Sequence, residues 1–244
     1  MRLLLLNGNT DEAITALLFR QARAALPRLG LPPAEIHAVT APFGARYIAT
    51  RAAVAVAGHA VLAALAEEVG PDNPRRFDAA VIACFGEPGI EAAREVLPIP
   101  VVGMAEASIA AGLARAPRIA LLTGGALWVP MLEEFALLRG HGPERVLVRG
   151  VAPTGDMIAR DPEAALALLA EAARAAAAEG AGAVVLGGAG LVGLTPRLAP
   201  LVPVPVLDSL DCALAVALAG GPPGPRVPQA PAIGLSAALA RWFG

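Results

Sequence analysis

Residues 77–89 are Phe-Asp-Ala-Ala-Val-Ile-Ala-Cys-Phe-Gly-Glu-Pro-Gly, and residues 181–191 are Ala-Gly-Ala-Val-Val-Leu-Gly-Gly-Ala-Gly-Leu. In each stretch a short apolar run is followed by a turn of small residues and then by a helical pattern. Short apolar runs that end in glycine or proline are typical of buried strands. The repeat of strand, turn and helix therefore predicts an α/β fold in which Cys84 and Gly188 occupy equivalent positions.

The same alternation of apolar runs with alanine- and leucine-rich helical stretches continues along the chain. It predicts buried strands at residues 3–6, 79–83, 101–103, 118–122, 183–186 and 205–207. Open α/β sheets bind ligands at the carboxyl ends of their strands. Two such units that face each other would place the turns at Cys84 and Gly188 on one cleft.

Helix starts are predicted where capping residues precede an alanine-rich run. Thr10 can cap a helix that carries Asp11 in its first turn. Asp161 is the predicted N-cap of the clearest helix, in which Pro162 fits the first turn and Gly180 ends the run. A further helix is predicted from residue 208 to about residue 218, and a short one around residues 235–243.

The composition limits the classes of protein to which the chain can belong. Of its 244 residues, 56% are hydrophobic and 16% are charged, and the net charge is −2. This balance is the reverse of that in disordered chains, and it provides no basic surface for nucleic acid. The longest apolar run, residues 52–66, is shorter than a membrane span of about 18–20 residues and contains Gly58 and His59. We therefore expect a soluble cytoplasmic protein that binds neither nucleic acid nor a membrane.

All 19 basic residues are arginine, and the chain has no lysine. Pyridoxal phosphate is held through a lysine Schiff base, so this cofactor and any lysine nucleophile are excluded. The three histidines, His37, His59 and His141, do not cluster with one another or with the two cysteines, Cys84 and Cys212. We therefore expect free thiols, no metal site and no cofactor.

Cys84 ends a predicted buried strand and begins a turn that contains glycine and proline. A thiol there could face a ligand, and the backbone N–H groups of Phe85 and Gly86 could bind an oxyanion. Free cysteine is also among the most buried residue types, so its position alone leaves simple packing equally open. Cys212 lies at helical spacing from other apolar residues, and we interpret it as a packing residue.

Two further turns carry donors suited to an anion. Asn9 and Thr10, in the turn at residues 7–10, could bind a carboxylate through their side chains and the following helix N-terminus. Thr123 and Gly124 end another predicted strand and could supply a hydroxyl and amide groups. Taken alone, the turn at residues 7–10 is better explained as an ordinary cap and turn, and the turn at Thr123 and Gly124 is an equally weak signal because glycines commonly mark turns.

Residues 186–191 form a glycine-rich turn after a strand and superficially resemble a dinucleotide-binding fingerprint. The G-x-G-x-x-G spacing is absent, and Asp208 is the nearest candidate for the acidic residue that such a site needs about 20 residues further on. We therefore favour a turn in which the N–H groups of Gly188 and Ala189 bind a ligand.

Taken together and in order, these segments resemble the Asp/Glu/hydantoin racemase superfamily, hydantoin and allantoin racemases in particular. The most specific part is the cysteine segment together with the Pro-Val-Val-Gly that follows it. The matching segments are Asn7–Thr10, Gly44–Ile48, Ala83–Gly89 with Glu91–Arg94, Pro100–Gly103 with Glu106 and Ala107, Trp128–Pro130, and Leu186–Gly190.

The resemblance implies two pseudo-symmetric, Rossmann-like α/β lobes with mostly parallel sheets and an active site in the cleft between them. Residues 1–103, completed by 206–244, would form the first lobe and carry Cys84. Residues 104–205 would form the second lobe and carry Gly188. The resemblance also implies a small-molecule substrate, and we expect a homo-oligomer. The expected substrate-binding residues are Asn9, Thr10, Phe85, Gly86, Thr123, Gly124 and Ala189.

One departure from the family pattern bears directly on function. The family places a second cysteine in a Leu-Gly-Cys-Ala-Gly turn, where this chain has Gly188. Racemisation by proton transfer needs one acid/base group on each face of Cα, and a catalytic thiol is expected to have its pKa tuned towards neutrality. Cys84 would supply one face. Glu87 lies beside it in the same turn and is not an obvious replacement for the other face.

Three functions follow from this pattern. The chain could be an enzyme of the racemase family with a one-sided site, acting on a hydantoin, an amino acid or a related small carboxylate. It could be a single-cysteine decarboxylase of the arylmalonate type, or a protein that binds a small ligand without turnover. The sequence leaves open whether Gly188 arose in evolution or by deliberate substitution.

Overall fold

The computed structural model describes residues 1–71, 73–151, 161–221 and 223–243. The strands are β1 (Arg2–Asn7), β2 (Glu35–Thr40), β3 (Ala79–Ile82), β4 (Val101–Gly103), β5 (Ile119–Gly124), β6 (Val146–Val151), β7 (Ala183–Gly187) and β8 (Val206–Asp208). The helices are α1 (Glu12–Arg28), α2 (Arg51–Val69), α3 (Ile90–Val96), α4 (Met104–Leu113), α5 (Trp128–Leu138), α6 (Pro162–Ala178), α7 (Thr195–Leu198), α8 (Ser209–Ala219) and α9 (Ala237–Ala240). The alternation of strands and helices confirms the predicted α/β class.

The chain divides into two compact units, one of residues Met1–Gly103 with Ala213–Gly244 and the other of Met104–Cys212. Unit 1 contains a sheet in the order β2-β1-β3-β4, and unit 2 contains a sheet in the order β6-β5-β7-β8. Every neighbouring pair in both sheets is parallel. The two units therefore share one topology, in which the first and third strands are central.

The central strands are apolar over most of their length because both faces of each sheet are covered. The four leucines of β1 and all four residues of β3 are buried in unit 1, and so are the five residues of β7 in unit 2. Parallel sheets with helices on both faces show this continuous apolar pattern rather than an alternating one. The same pattern made these strands recognisable in the sequence.

Six strands were predicted, and their ends agree with the structure to within two residues. The edge strands β2 and β6 were missed, because β2 contains polar residues that are partly exposed and β6 includes Arg149 and Gly150. Thr10 is not the cap of the first helix. Asp11 is, with its carboxylate accepting a hydrogen bond from the Ala13 N–H at 2.9 Å. The predicted Asp161 cap of α6 is confirmed.

The boundary between the two units also differs from the predicted one at residues 205 and 206. Val206–Asp208 forms β8, which pairs with β7, so these residues complete the second sheet. Unit 2 extends to Cys212, and unit 1 resumes at Ala213. The apolar Pro-Val-Leu run predicts a strand, but the sequence does not indicate that this strand pairs with β7.

Helix α2 is long and apolar enough to cross a membrane by length and composition, which a search for uninterrupted apolar residues did not anticipate. The core helix of a folded domain passes the same test. In unit 1, α2 buries Ala57, Ala60, Val61 and residues 64–66. It packs there against β1, α3 and α9. Packing within its own unit accounts for this apolar face.

A close approach of two glycines positions the loop that follows Cys84. A methyl group at Gly89, the residue before α3, would lie 2.9 Å from the carbonyl oxygen of Gly58 in α2. Gly89 also has a φ of 76°, in the left-handed region that glycine favours. The loop can therefore rest directly on the α2 backbone, and a larger residue at position 89 would push it away.

We expect Gly89→Ala to lower the free energy of unfolding by at least about 2 kcal/mol, because left-handed strain and overpacking add. Gly140→Ala is the matched control, since Gly140 has a φ of 79° and nothing within 4 Å of an added methyl group. It should lose only about 1 kcal/mol, the cost of a left-handed alanine. Urea denaturation measures both. Equal losses would contradict the close approach.

The start of α8 is held by a buried carboxylate. Asp208 Oδ1 accepts a hydrogen bond from the Leu210 N–H at 2.9 Å, and its Oδ2 accepts one from the Gly193 N–H at 2.6 Å. Burial raises the pKa of Asp208 to about 6, the nearby Asp211 carboxylate adds to the rise, and the hydrogen bonds oppose it. The charged form is therefore disfavoured in the folded protein.

The sign of this shift predicts a pH dependence of stability. Because the folded pKa lies above the ordinary value of 3.8, the folded state holds the proton more tightly. The contribution of Asp208 to stability should fall as the pH rises from about 4 to 7, by up to about 3 kcal/mol. Asp208→Asn should remove this slope, whereas Asp211→Asn should keep most of it. Chemical denaturation across this range measures the slopes, and identical slopes in wild type and Asp208→Asn would refute the assignment.

Candidate active site

Cys84 lies in the turn that follows β3 in unit 1. Its side chain is buried, and the Glu87 N–H donates to the Cys84 carbonyl oxygen at 2.9 Å to close the turn. A methyl group at Gly8, in the turn after β1, would lie 3.3 Å from the Cys84 Cβ and 3.4 Å from the Pro88 ring. The turns after the two central strands therefore meet, as parallel pairing requires.

The thiol of Cys84 is held in its protonated form. Burial raises the pKa of Cys84 to about 11, the Gly86 N–H opposes the rise by a hydrogen bond to the sulfur, and the negative charge of Glu87 adds to it. A catalytic thiol is expected to have a pKa tuned towards neutrality. The direction is the opposite because a single N–H donor does not compensate for the loss of solvent. The same contact uses the Gly86 N–H, which was predicted to bind an oxyanion.

Glu87 is the site feature that sequence reasoning undervalued. It is buried and has a φ of 48°, the one positive φ among non-glycine residues in the described part of the chain. A methyl group at Gly103, the end of β4, would lie 2.0 Å from the Glu87 carboxyl carbon. Strained backbone of this kind clusters at functional sites. The close approach of the Glu87 carboxyl group explains why the Pro-Val-Val-Gly segment ends in glycine. The sequence alone does not indicate that Gly103 lies against Glu87.

The turn at residues 7–10 is organised by Asn7, which is fully buried. Its Nδ2 donates to Asn9 Oδ1, to the Asp11 carbonyl oxygen and to Thr15 Oγ1 at 2.9–3.1 Å. Asn9 Oδ1 also accepts from the Asp11 N–H. The Thr10 N–H donates to the Ala45 carbonyl oxygen, in the loop between β2 and α2, at 3.2 Å. The Asn9 Nδ2 and the Thr10 hydroxyl take no part in this network.

Tyr47 lies in Gly44–Ile48, one of the segments that resemble the family pattern. The sequence alone assigns no role to its side chain. Its side chain is about half exposed. Burial raises the pKa of Tyr47, and the negative charge that Cys84 carries when ionised adds to this rise. Tyr47 therefore lies within electrostatic range of Cys84, in the same unit.

Unit 2 brings Thr123 and Gly188 to one end of its sheet. Thr123 is buried near the end of β5 and is paired with Gly187, the last residue of β7. Gly124 ends β5 beside Val151. Ala189 begins a 3-10 turn in which the Leu191 N–H donates to the Gly188 carbonyl oxygen at 2.9 Å.

Gly188 has room for a side chain but a backbone that favours glycine. The atoms nearest to an added methyl group are those of the Leu191 side chain, at 4.0 Å. Its φ and ψ are 144° and 140°, a combination found almost only in glycine. A cysteine at this position would therefore fit sterically and would strain the local backbone.

The remaining candidates lie where their sequence context predicted. Cys212 is on α8 and partly buried, and its pKa is raised to about 11, mainly by burial, against a hydrogen bond with Ser108. His59 is exposed on α2, edge-on to the Phe43 ring. The Asp208 carboxylate accepts two backbone N–H groups and is buried, so a ribose-binding role is not supported.

Each unit thus collects its candidate residues at the carboxyl ends of its first and third strands. In unit 1 these are Asn9, Thr10, Cys84, Phe85 and Gly86, and in unit 2 they are Thr123, Gly124, Gly188 and Ala189. Cys84 follows the third strand of one unit and Gly188 follows the third strand of the other, so the two positions are topologically equivalent. A shared cleft between the units stays a prediction.

Comparison with known sequences shows that the chain is similar to racemases. Residues 3–217 match the family described as Asp/Glu/Hydantoin racemase. The chain is 39% identical to the hydantoin racemase of Pseudomonas sp. (strain NS671) over 107 residues, 43% of this chain and 42% of that protein. It is 30% identical to the hydantoin racemase of Rhizobium meliloti over 153 residues, 62% of this chain and 63% of that protein. The chain therefore spans less than two thirds of the length of these relatives.

Solved structures extend the likeness over most of the chain. Allantoin racemase from Pseudomonas fluorescens superposes with a TM-score of 0.81 at 30% identity, covering 90% of both chains. Allantoin racemase from Klebsiella pneumoniae gives 0.80 at 28% identity, covering 90% of this chain and 86% of that one. Arylmalonate decarboxylase gives 0.59 at 19% identity over 91% and 93%, which shows the fold alone. This chain belongs to the Asp/Glu/hydantoin racemase family.

Proposed function

We propose that this protein transfers a proton at Cα of a hydantoin or a related small carboxylate, with Cys84 as its acid/base group. One observation carries the proposal. A buried thiol, Cys84, follows β3, and a glycine, Gly188, occupies the topologically equivalent position after β7. Direct racemisation needs an acid/base group on each face of Cα. A site with one thiol should therefore exchange the Cα proton far faster than it inverts the carbon.

The substrate class rests on the relatives and on the donors near the two turns. The relatives are hydantoin and allantoin racemases. The Cα of a hydantoin lies next to a carbonyl group, so its loss of a proton produces an enolate-like anion that N–H and O–H donors stabilise. The proposed donors are Asn9 Nδ2, the hydroxyl groups of Thr10 and Thr123, and the N–H groups of Gly188 and Ala189. The Phe85 N–H is the remaining candidate in the cysteine turn.

A second candidate function is favoured by the protonated state of Cys84. A thiol with a pKa of about 11 is a proton donor at neutral pH. In a decarboxylation the bond from Cα to a carboxylate breaks and CO₂ leaves with the electron pair remaining on Cα as an enediolate. Cys84 would then give its proton to Cα, and the thiolate would recover a proton from water. A substituted malonate is the substrate class that fits such a reaction, because its second carboxylate becomes the enediolate.

Isotope exchange tests the role of Cys84. In D₂O the wild type should exchange the Cα proton of one enantiomer of a 5-substituted hydantoin, measured by proton NMR after subtraction of the rate without protein. Cys84→Ser should lower this rate by at least about 100-fold, because a serine hydroxyl is a much weaker acid than a thiol and general acid–base groups contribute about 10²–10⁴-fold.

Cys212→Ser is the matched control, since Cys212 is the other thiol of the chain and lies on α8. It should keep the wild-type exchange rate. Loss of exchange in Cys212→Ser with retention in Cys84→Ser would reverse the assignment. Binding of the hydantoin without any exchange would favour the ligand-binding function. Release of CO₂ from a malonate, dependent on Cys84, would favour the decarboxylase.

Replacing Gly188 tests the one-sided site. We expect Gly188→Cys to raise the rate of inversion, followed by chiral chromatography, by at least about 100-fold because it supplies the missing second acid/base group. The positive φ of Gly188 means that the variant should also lose about 1–3 kcal/mol of stability.

Gly188→Ala separates these two effects, because it imposes the same backbone strain without a thiol. It should lose a similar stability and gain no inversion. Efficient racemisation by the wild type would contradict the proposal, since it would require a second acid/base group. A folded Gly188→Cys protein that exchanges but does not invert would also contradict it.

A further inference from the structure

We propose that Asp208 is a positioning residue for the substrate-binding turn, and that its carboxylate holds residues 188–193 in the conformation that binds substrate. This inference rests on the proposed function, in which Gly188 and Ala189 contribute backbone donors. Asp208 touches neither substrate nor the reacting atoms in this scheme and acts through the turn.

The register of the sheet places Asp208 beside the base of this turn. The last pair of the β7–β8 ladder is Leu186 with Asp208, so the pairing with β8 ends one residue before β7 itself ends at Gly187. Beyond that point the next link to β8 is the hydrogen bond from the Gly193 N–H to Asp208 Oδ2 at 2.6 Å. The ladder and the carboxylate therefore fix the two ends of the turn.

The turn itself has backbone conformations that depend on such support. Gly188 has a φ of 144° and Gly193 a φ of 80°, and a 3-10 turn joins them. Inside the turn the Leu191 N–H donates to the Gly188 carbonyl oxygen. Glycine loses more conformational freedom than any other residue on folding, so a turn bounded by two glycines needs an external tether.

A carboxylate is required because Asp208 holds two groups at once, the start of α8 and the turn at residues 188–193. Capping α8 needs one acceptor, which asparagine or serine would supply without burying a charge. Asp208 uses both oxygens, one for the Leu210 N–H of α8 and one for the Gly193 N–H of the turn. Asparagine has one acceptor oxygen, and serine is too short to reach both groups. The second oxygen thus serves the turn rather than the helix.

The first arm of the test measures the tether in the protein without ligand. Hydrogen–deuterium exchange of peptides that cover residues 188–194 should be at least 10-fold faster in Asp208→Asn than in wild type. Asp211→Asn removes a neighbouring carboxylate on α8 and should leave this exchange unchanged. Asp208→Ser, which keeps a helix-capping hydroxyl, is the second variant should Asp208→Asn fold poorly. Unchanged exchange in both Asp208 variants would overturn the proposal.

The second arm measures the consequence for substrate. In the Cα exchange assay with a 5-substituted hydantoin, Asp208→Asn should lower kcat/KM at least 10-fold, with most of the loss in kcat, because the Gly188 and Ala189 N–H groups stabilise the enolate-like anion more than the ground state. Asp211→Asn should keep both constants. Faster hydrogen–deuterium exchange of the turn with an unchanged kcat/KM would make the hydrogen bond from Gly193 to Asp208 purely structural and would also overturn the proposal. An inactive wild type would refute the proposed function, while the first arm would still decide whether Asp208 holds the turn.

Discussion

Parallel pairing of short, largely apolar strands is the constraint on which the rest of this structure depends. Because neighbouring strands run in one direction, the turns after the first and third strands of each unit emerge at the same edge of the sheet. In unit 1 this brings the Asn7–Thr10 turn against Cys84, and in unit 2 it brings Thr123 beside the Gly187–Gly188 turn. The candidate site residues lie at these edges, where open α/β sheets bind ligands.

Burial sets the electrostatic character of these edges. Removal from water raises the pKa of both Cys84 and Asp208, and in each case backbone N–H groups oppose the rise only in part. The result in unit 1 is a neutral thiol that is ready to donate a proton. The result in unit 2 is a carboxylate that the protein keeps for its two hydrogen bonds at the expense of stability. The two residues occupy similar surroundings and serve different purposes.

The two units share a topology but carry different residues at the equivalent positions that follow their third strands. Cys84 has a side chain that can carry a proton, and Gly188 has none. The backbone at Gly188 has also adopted a conformation that suits glycine. The difference between the units is therefore more than the absence of one sulfur atom, since the turn around the glycine is shaped to it.

The sequence by itself determined the α/β class, the central strands, the Asp161 cap and the family, because these follow from local patterns and ordered segments. It also singled out Cys84 and Gly188. Only the tertiary structure decided that Asp11 rather than Thr10 caps α1, that β8 completes the second sheet, and that Gly103 makes room for the Glu87 carboxyl group. The hydrogen bond from the Gly193 N–H to the Asp208 carboxylate was also evident only from the tertiary structure. Each of these depends on which atoms meet in space, and spacing along the chain does not determine that.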